Sequence, residues 1–197
     1  MKRSIFRTLS LAFLGIGLIP LVHAEVVDLT PSSKVDIRPE DGGVLNTYMV
    51  FKDGKRTIQY LPPPEWTWSG GGNKLTLFSP NEAGVRLDVL SGKMALPKSK
   101  EELGVKLQEL AKQALPPTAE LRELSDPNFY FISMGADSDI SEIKIKYTLN
   151  NERFTKSVAF YQGKDGAFLQ WIVTAPDKNF EQAFTTVRSS IFSWVWM

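Results

Sequence analysis

The chain has 197 residues, with 23 lysines and arginines against 22 aspartates and glutamates, one histidine and no cysteine. The absence of cysteine excludes disulfides, thiol nucleophiles and thiolate metal sites, and the only imidazole, His23, lies near the N-terminus. Basic and acidic residues alternate along the whole chain, so the sequence predicts no basic surface for nucleic acid.

The first 24 residues have the parts of a secretory signal peptide. A positive n-region precedes the uncharged, mostly apolar stretch 9–22, and Ala24 supplies a small residue at the cleavage position. The sequence therefore predicts cleavage after Ala24 and export to the periplasm or the cell exterior. An uncleaved anchor is the alternative, but this apolar stretch is short for a membrane span, which needs about 20 residues.

Cleavage would leave a chain without histidine. Loss of Lys2, Arg3 and Arg7 would lower the basic residues from 23 to 20 against 22 acidic residues, a net charge of −2. Without imidazole or thiol, this chain has no Ser-His-Asp or Cys-His nucleophile pair and no ordinary zinc or copper site. The sequence predicts a noncatalytic protein that uses no cofactor.

The polar segment 25–43 is predicted to be an N-terminal extension or an edge strand, and residues 44–197 a single globular domain. Asp53-Gly54 separates two β-patterned runs and predicts a hairpin turn. Two further runs, 75–78 and 85–89, alternate as half-buried strands do.

The clearest predicted helix begins at Ser99. Ser99 and Glu102 match a capping box, in which the hydroxyl accepts a hydrogen bond from a first-turn amide and the carboxylate reaches back. Apolar residues then repeat at helical spacing until Pro116-Pro117, which ends the helix.

Strands predominate again after Pro117, in runs with turns at 126–128, 150–151 and 163–166. A second helix is predicted from Asp177, read as its N-cap, with an apolar face that includes Phe180 and Phe184. This order of elements predicts an α+β fold in which helices cover an antiparallel sheet. The aromatic chain end, 192–196, is predicted to pack in the core.

The layout resembles the PsbP-like α-β-α sandwich family over roughly residues 44–196. The similar features are Pro62-Pro63-Pro64 followed by Trp66, the helix opened by 99–103, and the closing sequence Ala175-Pro176-Asp177 before the terminal helix. This resemblance implies the fold but no activity, because the fold serves unrelated roles, of which noncatalytic protein binding is the common one.

The candidate binding residues are Tyr60, Trp66 and Trp68, beside the glycine-rich stretch 70–72. Two indoles two residues apart point the same way in an extended segment and would form a flat apolar platform for a sugar ring or a protein partner. The alternative is that they cover the edge of the sheet.

Asp137, Asp139 and Glu142 form the densest group of carboxylates, which the sequence predicts to lie in a solvated loop. Asp-x-Asp is typical of the first half of a calcium loop, but the later glycine and the bidentate acid are missing, so calcium is a weak alternative. A glycosidase acid and base also need only two carboxylates at a suitable separation.

These features favour an exported, noncatalytic accessory protein that binds a protein partner in the cell envelope. The second hypothesis is an envelope carbohydrate-binding or glycan-active protein, with the Trp pair as platform and the three carboxylates as catalytic or binding groups. It requires the carboxylates and the platform to share one cleft.

Overall fold

The computed structural model describes residues 26–37, 45–54, 56–133, 137–163 and 166–197. It is an α+β structure of mostly antiparallel strands with two short helices. The elements are β1 (Asp28–Ile37), β2 (Leu45–Asp53), β3 (Arg56–Tyr60), β4 (Thr67–Gly71), β5 (Lys74–Phe78), β6 (Arg86–Lys93), α1 (Lys100–Gln113), β7 (Glu120–Leu124), β8 (Asn128–Ser133), β9 (Asp137–Leu149), β10 (Glu152–Gln162), β11 (Ala167–Pro176), α2 (Phe180–Ile191) and β12 (Val195–Trp196). The predicted signal peptide, residues 1–24, lies outside the described residues.

The strands form two sheets rather than the single predicted sheet. The small sheet has the order β1-β2-β3-β12, and the large sheet has the order β4-β5-β6-β11-β10-β9-β7, with β8 also paired to β9. β1, from the predicted edge-strand region, lies at one edge of the small sheet. The chain end closes the other side, because Val195 pairs with Gln59 and Trp196 with Ile58.

Local turn chemistry explains the hairpins. Gly54 follows β2 with a φ of 58°, as the predicted turn requires. Asn150 and Asn151 join β9 to β10 with φ values of 51° and 64°. Two consecutive left-handed residues are typical of the type I′ turn, whose twist matches that of the two strands. Both predicted hairpins are confirmed.

The predicted start of α1 is also confirmed. The Ser99 hydroxyl accepts a hydrogen bond from the Glu102 amide at 3.2 Å, and the Glu102 carboxylate accepts one from the Lys98 amide at 2.7 Å. The reciprocal bond therefore reaches one residue further back than in the standard capping box. The helix buries Leu107 and Ala111 against the large sheet.

The predicted N-cap of the second helix, Asp177, is wrong, since it lies two residues before the observed one. Asp177–Asn179 form a 3₁₀ turn, and α2 begins at Phe180 after an N-cap, Asn179, that makes no side-chain capping bond. The Asp177 carboxylate instead accepts hydrogen bonds from the Thr155 hydroxyl at 2.7 Å and the Arg122 guanidinium at 3.0 Å. These partners come from β10 and β7, so tertiary contacts hold the carboxylate away from the helix amides.

Apolar side chains pack on both faces of the large sheet. One face carries Ala159 and Trp171, which belong to the cluster formed with α2 and the small sheet. The other carries Val158 and Ile172, which pack with α1. The small sheet thus covers part of a face of the large sheet that the sequence predicts to be covered by helices. Coverage of the large sheet by helices alone is not confirmed.

Candidate functional site

Trp68 lies on β4, the terminal strand of the large sheet. Its side chain is 45% exposed, and β4 pairs with β5 on one side only in the described part of the chain. The strand sequence Thr-Trp-Ser-Gly-Gly contains no charged residue. An edge strand without charge or proline is poorly protected against pairing with another strand.

The opposite terminal strand, β7, differs sharply in chemistry. Glu120, Arg122 and Glu123 give it three charges in five residues. Glu123 accepts a hydrogen bond from the Lys146 ammonium at 2.8 Å, and Arg122 binds Asp177. Charged side chains of this kind guard an edge against addition of a strand. The two ends of the same sheet are therefore protected unequally.

The end of the β4–β5 hairpin is already in contact with β1. The Leu29 amide donates a hydrogen bond to the Gly72 carbonyl at 2.6 Å, and the Gly72 amide donates one to the Thr30 hydroxyl at 2.9 Å. These bonds hold the hairpin against the small sheet. The exposed residues of β4 are Thr67 to Gly70, among which Trp68 has the one large apolar side chain.

Trp66 lies in a different environment from Trp68. It is half-buried and packs against the core cluster, and the described ring contacts include none between the two indoles. It lines a cleft of about 210 Å³ between the β5–β6 loop and α2. The predicted flat platform of two adjacent indoles is therefore not what the structure presents. Trp68 belongs to an edge and Trp66 to a cleft.

A larger cleft of about 680 Å³ adjoins the first, because Asn81 and Glu82 line both. Its other walls come from the start of β10 and the β11–α2 connection. They include Arg153, Asp177 and Lys178. These clefts have no local signal in the sequence, since the walls of the larger one come from three separate segments, 81–83, 152–153 and 176–179.

Tyr60 is fully buried, which corrects its predicted role at a binding surface. Its ring centroid lies 4.8 Å from that of Trp194, and its hydroxyl shares a hydrogen bond of 2.6 Å with the Ser190 hydroxyl. Burial raises the pKa of Tyr60. The residue links β3 to α2 and the chain end, and its side chain is not available to a partner.

The predicted acidic loop is the beginning of β9. Glu142 is only 6% exposed, and its carboxylate accepts hydrogen bonds from the Ser157 hydroxyl at 2.6 Å and the Tyr130 hydroxyl at 3.1 Å. The side chains of Asp137 and Asp139 lie outside the described residues. Glu142 lines neither of the two clefts described above, so it does not share the Trp66 cleft as the carbohydrate hypothesis requires of it.

Lys156 is a buried cation that the sequence analysis missed. Only 3% exposed, it donates a hydrogen bond to the Ala114 carbonyl at the end of α1, and its ammonium lies 5.5 Å from the centre of the Tyr147 ring. Burial lowers the pKa of Lys156 to about 8. The available signal was its position in β10, where it lies between Phe154 and Val158 on the same face of the strand, the face that packs against α1.

Trp194 is fully buried, as predicted for the aromatic chain end, whereas Phe192 is exposed and Trp196 half-buried. The Trp196 indole donates a hydrogen bond to the Asp53 carboxylate at 3.1 Å.

In the part of the chain that the structure describes, no helix has the length and apolar character that a membrane span requires.

Neither a protein-family model nor a curated protein sequence matches the chain. The chain is similar to a solved structure, the solution structure of cyanobacterial PsbP (CyanoP) from Synechocystis sp. PCC 6803, with 11% sequence identity and a TM-score of 0.44. The similarity covers 94% of this chain and 96% of that chain. Membership of the PsbP-like family stays a prediction.

Proposed function

We propose that this protein is an exported, noncatalytic binding protein that engages a protein partner in the cell envelope through the edge of β4, with Trp68 as the main anchor. The observation that carries the proposal is the exposure of a tryptophan, 45%, on an uncharged edge strand. Export rests on the signal-like pattern of residues 1–24.

Trp68 has the chemistry of an interface anchor. Tryptophan is enriched among the few residues that contribute most to protein–protein affinity, because a large rigid side chain gains much apolar contact at a small cost in conformational entropy. Only part of the indole is covered in the monomer. A partner that covers the remainder gains apolar burial without first unpacking the core.

The β4 backbone supplies the second part of the proposed contact. The outward N–H and C=O groups of an edge strand can pair with an extended segment of a partner, and side chains on alternate residues then provide specificity. Charged β7 is the disfavoured edge for the same contact. The partner is therefore expected at the β4 edge of the sheet and not at the β7 edge.

The architecture proposed from the family resemblance is an α-β-α sandwich. Its support is that α1 packs with Val158 and Ile172 on one face of the large sheet, whereas α2 packs with Ala159 and Trp171 on the other. This arrangement leaves the strand edges, rather than the faces under the helices, as binding surfaces.

The test is a pull-down from native envelope extract with residues 25–197 as bait, comparing wild type with Trp68→Ala and Leu121→Ala. Leu121 is a matched control, since it is 46% exposed on β7. We expect a protein, identified by mass spectrometry, that is retained by wild type and Leu121→Ala and lost with Trp68→Ala. Equal retention by all three baits would contradict the proposed surface.

A further inference from the structure

We infer that the cleft between Trp66 and α2 binds a neutral sugar unit of a glycan chain. This inference is independent of the protein-binding proposal, because it concerns a different tryptophan and a cleft rather than a strand edge. It also differs from the carbohydrate hypothesis based on Asp137, Asp139 and Glu142, because the acidic residue in this cleft is Glu82.

Trp66 provides a fixed apolar wall. Part of its side chain packs against the core cluster, and part faces the cleft of about 210 Å³. An indole held by core packing loses little further freedom when a ligand binds, which favours affinity. The C–H groups of a pyranose ring provide the apolar surface that stacks on an indole.

The opposite walls carry groups that match sugar hydroxyls. Asn81 and Gln182 offer amides, which both donate and accept, and Thr186 offers a hydroxyl. A sugar hydroxyl also donates and accepts, so the amide contacts can form in either direction, whereas the Thr186 hydroxyl, which donates to the Gln182 carbonyl, is left to accept. A small number of polar groups around an apolar wall is typical of a small-molecule site.

Glu82 sets the preferred charge of the ligand. It is the only charged residue that lines the smaller cleft, and one of its carboxylate oxygens is buried without a hydrogen-bond partner among the described residues. A buried acceptor without a donor is unfavourable, and a hydroxyl donor would relieve that cost. An anionic ligand would instead face the carboxylate and be repelled.

The adjoining cleft makes room for the rest of a chain. It shares Asn81 and Glu82 with the smaller cleft and continues past Asp177 and Lys178 to the start of β10. Asp177 is held in place by Thr155 and Arg122, so this wall is ordered by contacts that do not need a ligand. An oligosaccharide can therefore place one ring beside Trp66 and extend outward.

The test measures binding of chitotetraose and cellotetraose, two neutral tetrasaccharides, and of anionic tetragalacturonate, by ligand-observed NMR and calorimetry. We expect at least one neutral tetramer to bind and the anionic tetramer to bind at least about tenfold more weakly. Glu82→Ala, Gln182→Ala and Thr186→Ala should each weaken binding of the neutral tetramer.

Thr185→Ala is the matched control, because Thr185 and Thr186 both bond back to the preceding turn of α2 but only Thr186 lines the cleft. Trp68→Ala should leave sugar binding unchanged while abolishing capture of the protein partner. Failure of both neutral tetramers to bind, preference for the anionic one, or equal effects of Thr185→Ala and Thr186→Ala would overturn the inference.

Discussion

The ammonium of Lys156 donates a hydrogen bond to the carbonyl oxygen of Ala114, and so joins the centre of the large sheet to the end of α1. The last carbonyls of a helix carry partial negative charge, so a cation is favourable there. Asp88 does not neutralise this lysine by an ion pair but pairs with Arg86 at 3.1 Å. A buried charge is therefore held by a helix end and an aromatic ring.

The lowered pKa of Lys156 predicts that the stability of the protein depends on pH. This pKa is lowered from 10.5 to about 8, so between these values the unfolded chain binds more protons than the folded one. The free energy of unfolding of wild type should then rise with pH across this window, by about 1 to 2 kcal/mol between pH 7.5 and 9.5. Lys156→Met should lack this rise.

Urea denaturation at the two pH values measures the effect. At the upper value Tyr147 stays protonated in the folded protein, since burial raises its pKa to about 12. Lys106→Met provides the control, because Lys106 is a surface lysine on α1 whose ion pair with Glu109 is exposed. Parallel slopes in wild type and Lys156→Met would show that Lys156 is not the titrating group.

Tyr130→Phe should lower the free energy of unfolding by about 1 to 3 kcal/mol, because the change removes a donor from a carboxylate that is buried. Ser157 would then be the remaining side-chain donor to Glu142 among the described residues. Chemical denaturation beside Glu120→Gln, an exposed change on β7, measures the loss. Equal stability of the two variants would argue that Glu142 gains little from Tyr130.

Ser99→Ala should destabilise the protein by about 1 kcal/mol, because the Glu102 amide loses its acceptor at the start of α1. Ser99→Asp should retain most of the stability, since aspartate is also a good N-cap. Thermal unfolding followed by circular dichroism compares the three proteins. A loss of the same size in the aspartate variant would point to a cause other than capping.

Trp194→Ala should cost about 3 to 5 kcal/mol, the usual range for truncation of a large buried aromatic residue. The indole stacks on Phe51 at 5.1 Å and meets Trp171 edge-on at 5.5 Å, so it joins the two sheets. Val195→Ala, an exposed change in β12, should cost less than about 0.5 kcal/mol. Similar unfolding midpoints in urea for both variants would contradict this role of the chain end.

The elements that the sequence predicted correctly are those with local signals. The start of α1 depends on Ser99 and Glu102, three residues apart, and the β9–β10 hairpin on two adjacent asparagines. Such patterns involve residues within one turn of the backbone, so they can be recognised in the sequence without knowledge of the fold.

Features that depend on distant partners were missed. The small sheet is completed by residues 195–196, which pair with β3 more than 130 residues earlier in the chain. Asp177 has the local chemistry of an N-cap, but Arg122 and Thr155 compete for its carboxylate. The burial of Glu142 was missed as well. Residues 137–142 belong to strand β9 rather than to a loop, and this strand buries the Glu142 side chain.

The candidate site was predictable only in part. Trp68 and Trp66 were identified from their residue type, but spacing alone could not show that one lies at an edge and the other in a cleft. The companion residues Glu82 and Gln182 are 100 positions apart in the sequence and meet only in the folded chain.

Amide hydrogen exchange of β4, with and without the protein captured by wild type, tests the proposed binding edge most directly. If the partner adds a strand beside Trp68, exchange of the Thr67–Ser69 amides should slow on binding while that of the β7 amides stays unchanged. Slowed exchange confined to β7 or to the α1 surface, with β4 unaffected, would contradict the account.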